Sequence, residues 1–120
     1  MSGYILIVDD EPSIRSLLEE VLREFGYTPK SVSNGWECLR IVESQPKPKL
    51  ILLDHQMPEI KGLDVLLLLK QNRATADIPI IMISSTQEIK KVAKSKGAVA
   101  VLEKPFDIDI LIDHVRTVLP

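Results

Sequence analysis

The chain has 120 residues, 45% of them apolar and 27% charged, with a net charge of −2. That length holds one domain around one core and excludes two. The near-balanced charge gives no footing for nucleic-acid binding, and apolar runs such as Val65–Leu69 fall far short of a bilayer span. The opening MSGYILIV lacks the basic stretch and cleavage site of a secretory leader. Cys38 is the only cysteine, so no internal disulfide is expected, and a reducing, cytoplasmic setting fits. No repeat, low-complexity stretch or linker divides residues 1–120, which read as one domain.

The first apolar run, Tyr4–Val8, ends abruptly on two adjacent aspartates, Asp9 and Asp10. From Pro12 to Phe25, Ile14, Leu17, Leu18, Val21, Leu22 and Phe25 recur at steps of three and one, a single helical stripe. Pro12 suits the first turn of that helix and Gly26 its stop. Thr28–Val32 is a second strand. Its Pro29 has no N–H for a ladder, which places this strand at a sheet edge. After Ser33-Asn34-Gly35, a second helix is expected from Trp36 to Ser44, closed by Pro46-Lys47-Pro48.

The third strand, Leu50–Leu53, leads onto Asp54. A third helix is expected from about Leu63 to Asn72, with Leu63, Leu66 and Leu67 supplying one face. Val65, Leu68 and Leu69 carry the apolar surface further round, which reads as burial against the sheet or, alternatively, as a partner surface. The fourth strand, Ile80–Ile83, ends on Ser84. Its helix spans Gln87 to Lys96 and stops at Gly97, with Lys90, Lys91, Lys94 and Lys96 as a solvated face or a dock for an acidic partner. Val99–Leu102 is the fifth strand, followed by Lys104-Pro105 and a helix carrying Ile108, Leu111, Ile112, Val115, Val118 and Leu119.

Strands rich in Ile, Val and Leu on both faces are parallel strands covered by helices on both sides. Five strand–helix units therefore predict a doubly wound α/β fold, flavodoxin-like, with a five-stranded parallel sheet in the order 2-1-3-4-5. In such a sheet Asp9, Asp10, Asp54, Ser84 and Lys104 all lie just beyond the carboxyl ends of their strands, along one rim. Two like charges about 5 Å apart cost roughly 3 kcal/mol at an effective dielectric near 20. A hard divalent cation removes that penalty, and Mg²⁺ is the cation that takes one or two carboxylates while keeping waters. Lys104 adds a positive point charge and Ser84 a donor, which together suit a phosphoryl group on an oxygen nucleophile. Asp54, at the tip of the central strand, is the candidate nucleophile.

The segments VDD, LLDHQMPEIKG, IIMISS and EKPF, in this order and spacing, resemble the receiver domain of bacterial response regulators across essentially the whole chain. The resemblance implies that Asp54 is the phosphoacceptor, with Asp10 a direct Mg²⁺ ligand and Asp9 a water-mediated or orienting one. It implies that the Gln56 backbone carbonyl completes the metal site, that Ser84 and Lys104 each hold a phosphoryl oxygen, and that the Lys104–Pro105 peptide is cis. Met57-Pro58 and Gly62 match the loop after the acceptor. The phosphoryl donor implied is a sensor histidine kinase or a histidine phosphotransfer protein. A monomer or weak phosphorylation-dependent dimer is expected, with no membrane or direct nucleic-acid contact. The ending KPFDIDILIDHVRTVLP resembles single-domain phosphorelay shuttles, and a complete single-domain regulator is expected rather than an excised piece.

Two features depart from the family pattern. Val101 stands where an aromatic residue is common, so output must come from the loops after Ser84 and around Lys104. Gln56 and Thr86 occupy positions that tune phosphoryl lifetime, and neither offers a carboxylate to place a water. His55 is expected to point away from the rim, because successive strand residues alternate faces. His114 is expected at the surface, Cys38 in packing, and Trp36 half exposed without a role. Three other classes fit less well. An aspartate-nucleophile phosphohydrolase needs a substrate cap, and a flavodoxin-like carrier would meet a repelling DDEPS turn at the flavin phosphate. The intact acidic set argues against a binding-only pseudo-receiver.

Overall fold

The computed structural model describes residues 3–120. Met1 and Ser2, part of the opening stretch searched for a leader, lie outside the described residues. The elements alternate strictly: β1 (Ile5–Val8), α1 (Pro12–Glu24), β2 (Pro29–Val32), α2 (Gly35–Ile41), β3 (Leu50–Asp54), α3 (Gly62–Gln71), β4 (Ile80–Ser84), α4 (Gln87–Ser95), β5 (Ala100–Glu103) and α5 (Ile108–Val118). The sheet order is β2-β1-β3-β4-β5 with every pairing parallel. Pro29 does sit on the edge strand, where its missing N–H breaks no inner ladder.

Alternation along the strands splits the interior into two cores. Leu6 and Val8 of β1, Ile51 and Leu53 of β3, and Ile80 and Met82 of β4 face α2, α3 and α4 through Cys38, Leu66, Leu69 and Ala93. Ile5, Ile7, Leu50, Leu52, Ile81 and Ile83 face α1 and α5 through Leu18, Leu22, Leu111 and Val115. Each fully buried side chain of this size contributes about 1.5–3 kcal/mol relative to exposure. This two-sided cover is why the central strands read as unbroken apolar runs.

Three helices differ from the expectation. In α1 only Leu18, Val21 and Leu22 are buried, while Leu17 and Phe25 are exposed and Ile14 is half-buried. The stripe is wider than the sheet surface available to cover it. α2 begins one residue early, where the Asn34 side chain accepts the Glu37 N–H at 2.9 Å, and it stops at Ile41 rather than Ser44. In α3 the buried face is Val65, Leu66 and Leu69; Leu68 is exposed and Leu67 half-buried. The next residue, Lys70, reaches past the helix end to donate from Nζ to the carbonyls of Ala76 and Ile78 at 2.9 and 3.0 Å. Among the described residues no helix is long and apolar enough to cross a membrane.

Candidate functional site

The register decides which groups meet. Val8 pairs with Leu53, so the next residues, Asp9 and Asp54, emerge side by side from the two central strands. On the other flank of β3, Asp54 pairs with Ile83, one residue before Ser84. Ser84 in turn pairs with Glu103, and its carbonyl accepts the Lys104 N–H at 2.9 Å. Parallel strands in this register bring Asp9, Asp10, Asp54, Ser84 and Lys104 to one rim.

Carboxylate oxygens of Asp9, Asp10 and Asp54 lie within 4.8 Å of one another. Asp9 and Asp54 are both buried, with Asp10 the more exposed of the three. Lys104 is their counterion: its Nζ stands 3.1 Å from Asp54 Oδ1, 3.4 Å from Asp9 Oδ2 and 3.9 Å from Glu11 Oε1. The two buried aspartates are held very differently. Asp9 Oδ1 accepts the Glu11 N–H at 2.9 Å, and its main-chain carbonyl accepts from Arg15 at 2.8 Å. Among the described residues no backbone N–H or hydroxyl donates to either oxygen of Asp54; its close partner is the Lys104 ammonium, 3.1 Å from Oδ1. Burial and the neighbouring Asp9 raise the Asp54 pKa to about 6, against the opposing pull of Lys104. Burial pulls on Lys104 in the opposite sense from its partners, and the Asp54 and Asp9 carboxylates outweigh it, leaving its pKa raised.

Three carboxylates, two of them buried, that share one ammonium are a set of hard oxygen donors short of positive charge, and the residues present fit a Mg²⁺ ion. Gln56 is exposed at the centre of a tight turn, across which the Met57 N–H donates to the His55 carbonyl at 3.0 Å. Ser84 is fully buried, and its Oγ accepts the Thr86 N–H at 3.2 Å. The Lys104–Pro105 peptide is cis, as is Gln45–Pro46.

Sequence reasoning left several side chains without the roles they hold. Arg15 and Glu11 fix the β1–α1 turn, and Glu11 also flanks Lys104. His55 is buried, and its Nδ1 accepts the Leu63 N–H at 3.2 Å at the start of α3. No local sequence signal announces a contact that depends on the loop folding back. Cys38 is buried in packing, with its thiol pushed up to about 12 by burial. His114 is half-buried rather than at the surface, Trp36 is exposed, and Val101 is buried in the core on the α4 side. Of the α4 lysines, Lys91, Lys94 and Lys96 are exposed and Lys90 is half-buried, 4.0 Å from Glu103.

A 2-1-3-4-5 sheet with an acidic trio, a hydroxyl and a lysine at its carboxyl rim is the architecture of a signalling phosphoacceptor. Residues 5–116 match the family model of the response regulator receiver domain, and the chain belongs to that family, the phosphate-accepting component of two-component signalling. It is 38% identical over 122 residues to sporulation initiation phosphotransferase F of Bacillus subtilis (strain 168), covering 100% of this chain and 96% of that protein. It is 33% identical to the DNA-binding dual master transcriptional regulator RpaA of Synechocystis, covering 96% of this chain but 48% of the regulator. Among solved structures, chemotaxis protein CheY4 of Vibrio cholerae superposes with a TM-score of 0.88 at 27% identity, covering 98% of this chain and 99% of that one. The receiver domain of NtrX from Brucella abortus gives 0.87 at 30% identity, covering 96% and 97%. Phosphorylation on an aspartate is typical of the family, and receiver domains bind Mg²⁺ at an acidic pocket.

Proposed function

We propose that the chain takes a phosphoryl group onto Asp54 from a phosphohistidine on a sensor histidine kinase or histidine phosphotransfer protein. The observation that carries this reading is the Asp54 carboxylate itself, buried at the tip of β3 with Lys104 beside Oδ1 and, among the described residues, no backbone or hydroxyl donor on either oxygen. Such a group is a nucleophile with one oxygen beside a cation and the other left open to attack phosphorus. One Asp54 oxygen forms a bond to phosphorus as the phosphorus–nitrogen bond of the donor breaks, and the electron pair returns to the imidazole nitrogen. Asp9, Asp10, Asp54 and the Gln56 carbonyl would hold Mg²⁺. When bound, the ion offsets the charge of the acidic trio and of the phosphoryl oxygens.

Lys104, already ion-paired with Asp54, would pair with one phosphoryl oxygen. Ser84, whose Oγ accepts the Thr86 N–H, would donate its hydroxyl proton to another. The phosphoryl group adds about two negative charges. The Ser84 and Lys104 loops would carry that change to the surface through their backbones, since Val101 has no ring to move. The protein would act as a phosphorylatable switch or shuttle, monomeric or weakly dimeric when phosphorylated, catalysing only its own phosphorylation and dephosphorylation.

Intact-mass analysis with acetyl phosphate, with and without Mg²⁺, tests this. A gain of one phosphoryl group that needs Mg²⁺ and vanishes in Asp54→Asn is expected. Labelling that survives the substitution or an excess of chelator would rule the reading out.

A further inference from the structure

His55 follows the proposed acceptor directly, yet its side chain serves the loop rather than the rim. Three contacts converge on this one residue. Its imidazole Nδ1 accepts the Leu63 N–H at 3.2 Å, taking one of the otherwise unpaired donors of the first turn of α3. Its carbonyl accepts both the Met57 N–H and the Gly62 N–H, each at 3.0 Å. The residues between are held from below: Met57 and Ile60 are buried in the α2–α4 core, and Ile60 N–H donates to the Pro58 carbonyl at 2.8 Å. Gly62 presses so closely on the Asp54–His55 backbone that an added Cβ would overlap the Asp54 carbonyl oxygen and lie 2.7 Å from His55 Cα. The loop from Gln56 to Lys61 is thus a closed ring whose two ends are clasped by His55.

We infer that His55 is a positioning residue for the metal site: its Nδ1 clasp on Leu63 fixes the β3–α3 loop so that the Gln56 carbonyl is set for the ion. The inference rests on the proposed role of Gln56 as a metal ligand. A carbonyl on an exposed turn is only as well placed as the hydrogen bonds that hold its flanks. The His55 carbonyl holds the near flank at Met57 and the far flank at Gly62. The imidazole is the side chain that ties the far flank, at α3, back to the strand.

The shape of histidine supplies a test. Asparagine carries its Oδ1 acceptor on Cγ, where histidine carries Nδ1, whereas leucine places a methyl there and keeps the bulk. In the full chain, His55→Leu is expected to weaken Mg²⁺ binding by roughly tenfold, measured by isothermal titration, as removal of a partner behind a metal ligand does. His55→Asn is expected to stay within about twofold of the unsubstituted chain on the same scale. A loss merely from disturbed packing would fall on both variants alike, and equal losses overturn the inference. Unchanged affinity in His55→Leu overturns it as well, while a parent chain that binds no Mg²⁺ overturns both it and the reading beneath it. The parent chain provides a second measurement that no folding defect can obscure. Nitrogen NMR is expected to show His55 Nδ1 unprotonated and scalar-coupled to the Leu63 amide nitrogen, and a protonated, uncoupled Nδ1 is the contrary result.

Discussion

Lys104 Nζ lies 3.1 Å from Asp54 Oδ1 and 3.4 Å from Asp9 Oδ2, so one ammonium serves two buried carboxylates. One positive charge does not neutralise two negative ones in a site that solvent barely reaches. The imbalance falls on Asp54, because Asp9 also accepts the Glu11 N–H whereas, among the described residues, Asp54 accepts from no backbone N–H or hydroxyl. A site of this kind is destabilising to the fold and receptive to further positive charge.

The pH dependence of stability follows from that imbalance. Asp54 has its pKa raised from 3.8 to about 6, so the folded protein holds a proton there that the unfolded chain releases earlier. Stability from this group is fully present below pH 4 and is lost as pH rises through about 6. The shift corresponds to roughly 3 kcal/mol at about 1.4 kcal/mol per pKa step. Asp54→Asn keeps the shape and removes the charge. It is expected to stabilise the apo protein by about 1–3 kcal/mol at pH 8 and by little at pH 4. Urea midpoints at the two pH values check this; equal midpoints for both proteins at pH 8 would contradict it.

Mg²⁺ competes with that proton. The ion needs the Asp54 carboxylate, so its affinity should be flat above pH 7 and fall through about pH 6 as the group protonates. Between pH 5.5 and 6.5, binding should release protons, read as a dependence of the calorimetric heat on the ionisation enthalpy of the buffer. Removing Mg²⁺ with a chelator should lower the melting temperature more at pH 8 than at pH 5. A chelator effect independent of pH would place the ion elsewhere.

Lys104→Met tests the counterion. It leaves Asp9 and Asp54 buried without their shared cation, which would cost 3–5 kcal/mol if both stayed charged. Asp54 can relieve part of that by taking up a proton, so a loss of about 2 kcal/mol is expected near neutral pH. The three carboxylates, no longer sharing an ammonium, should then attract Mg²⁺ more strongly, and millimolar Mg²⁺ should recover most of the loss. Denaturant midpoints with and without Mg²⁺ measure both effects, and a deficit that Mg²⁺ leaves untouched would count against a shared site.

The fold and the rim were largely legible in the chain, for physical reasons that also mark the limits. Pro29 can lie only where no ladder N–H is needed, so the edge strand was readable from one residue. Asp9, Asp54 and Ser84 stand where apolar runs end, and a parallel sheet collects such ends on one side. Helix faces were harder. Periodicity locates the middle of a stripe but not how much surface waits to cover it, so Leu17 and Phe25 remained outside. The run Val65–Leu69 is apolar all round, and a stripe without edges cannot say that Val65 rather than Leu67 turns inward. Contacts made by a returning loop left no periodic trace at all. Alternation of faces along β3 turned His55 away from the rim, as expected, but not toward the N–H of Leu63, which is brought there only by the loop closing at Gly62.

Gly62 is where that closure is most sensitive to a single methyl. Its backbone runs against the peptide joining Asp54 to His55, with no space for a side chain between them. The atoms in the way are main chain at the end of β3, paired to β4 through the bond from His55 N–H to the Ile83 carbonyl at 2.9 Å, so they have little freedom to retreat. Gly62→Ala must therefore lift the start of α3, breaking the Gly62 N–H bond to the His55 carbonyl and straining the Leu63 bond to the imidazole. A cost of about 2–4 kcal/mol is expected, in the range of overpacking combined with lost buried hydrogen bonds. Gly26→Ala is the contrast: its backbone φ is +90, but nothing among the described residues lies within 4 Å of the new Cβ, so the penalty is conformational only, about 1 kcal/mol. Mg²⁺ affinity separates the two further, because Gly26 is at the far end of α1 from the rim. Gly62→Ala should lose both stability and Mg²⁺ binding, whereas Gly26→Ala should lose a little stability and no binding. Chemical denaturation and magnesium titration of the two variants side by side decide it, and a Gly62→Ala protein that matches Gly26→Ala in both would mean that the loop accommodates the methyl without disturbing the site.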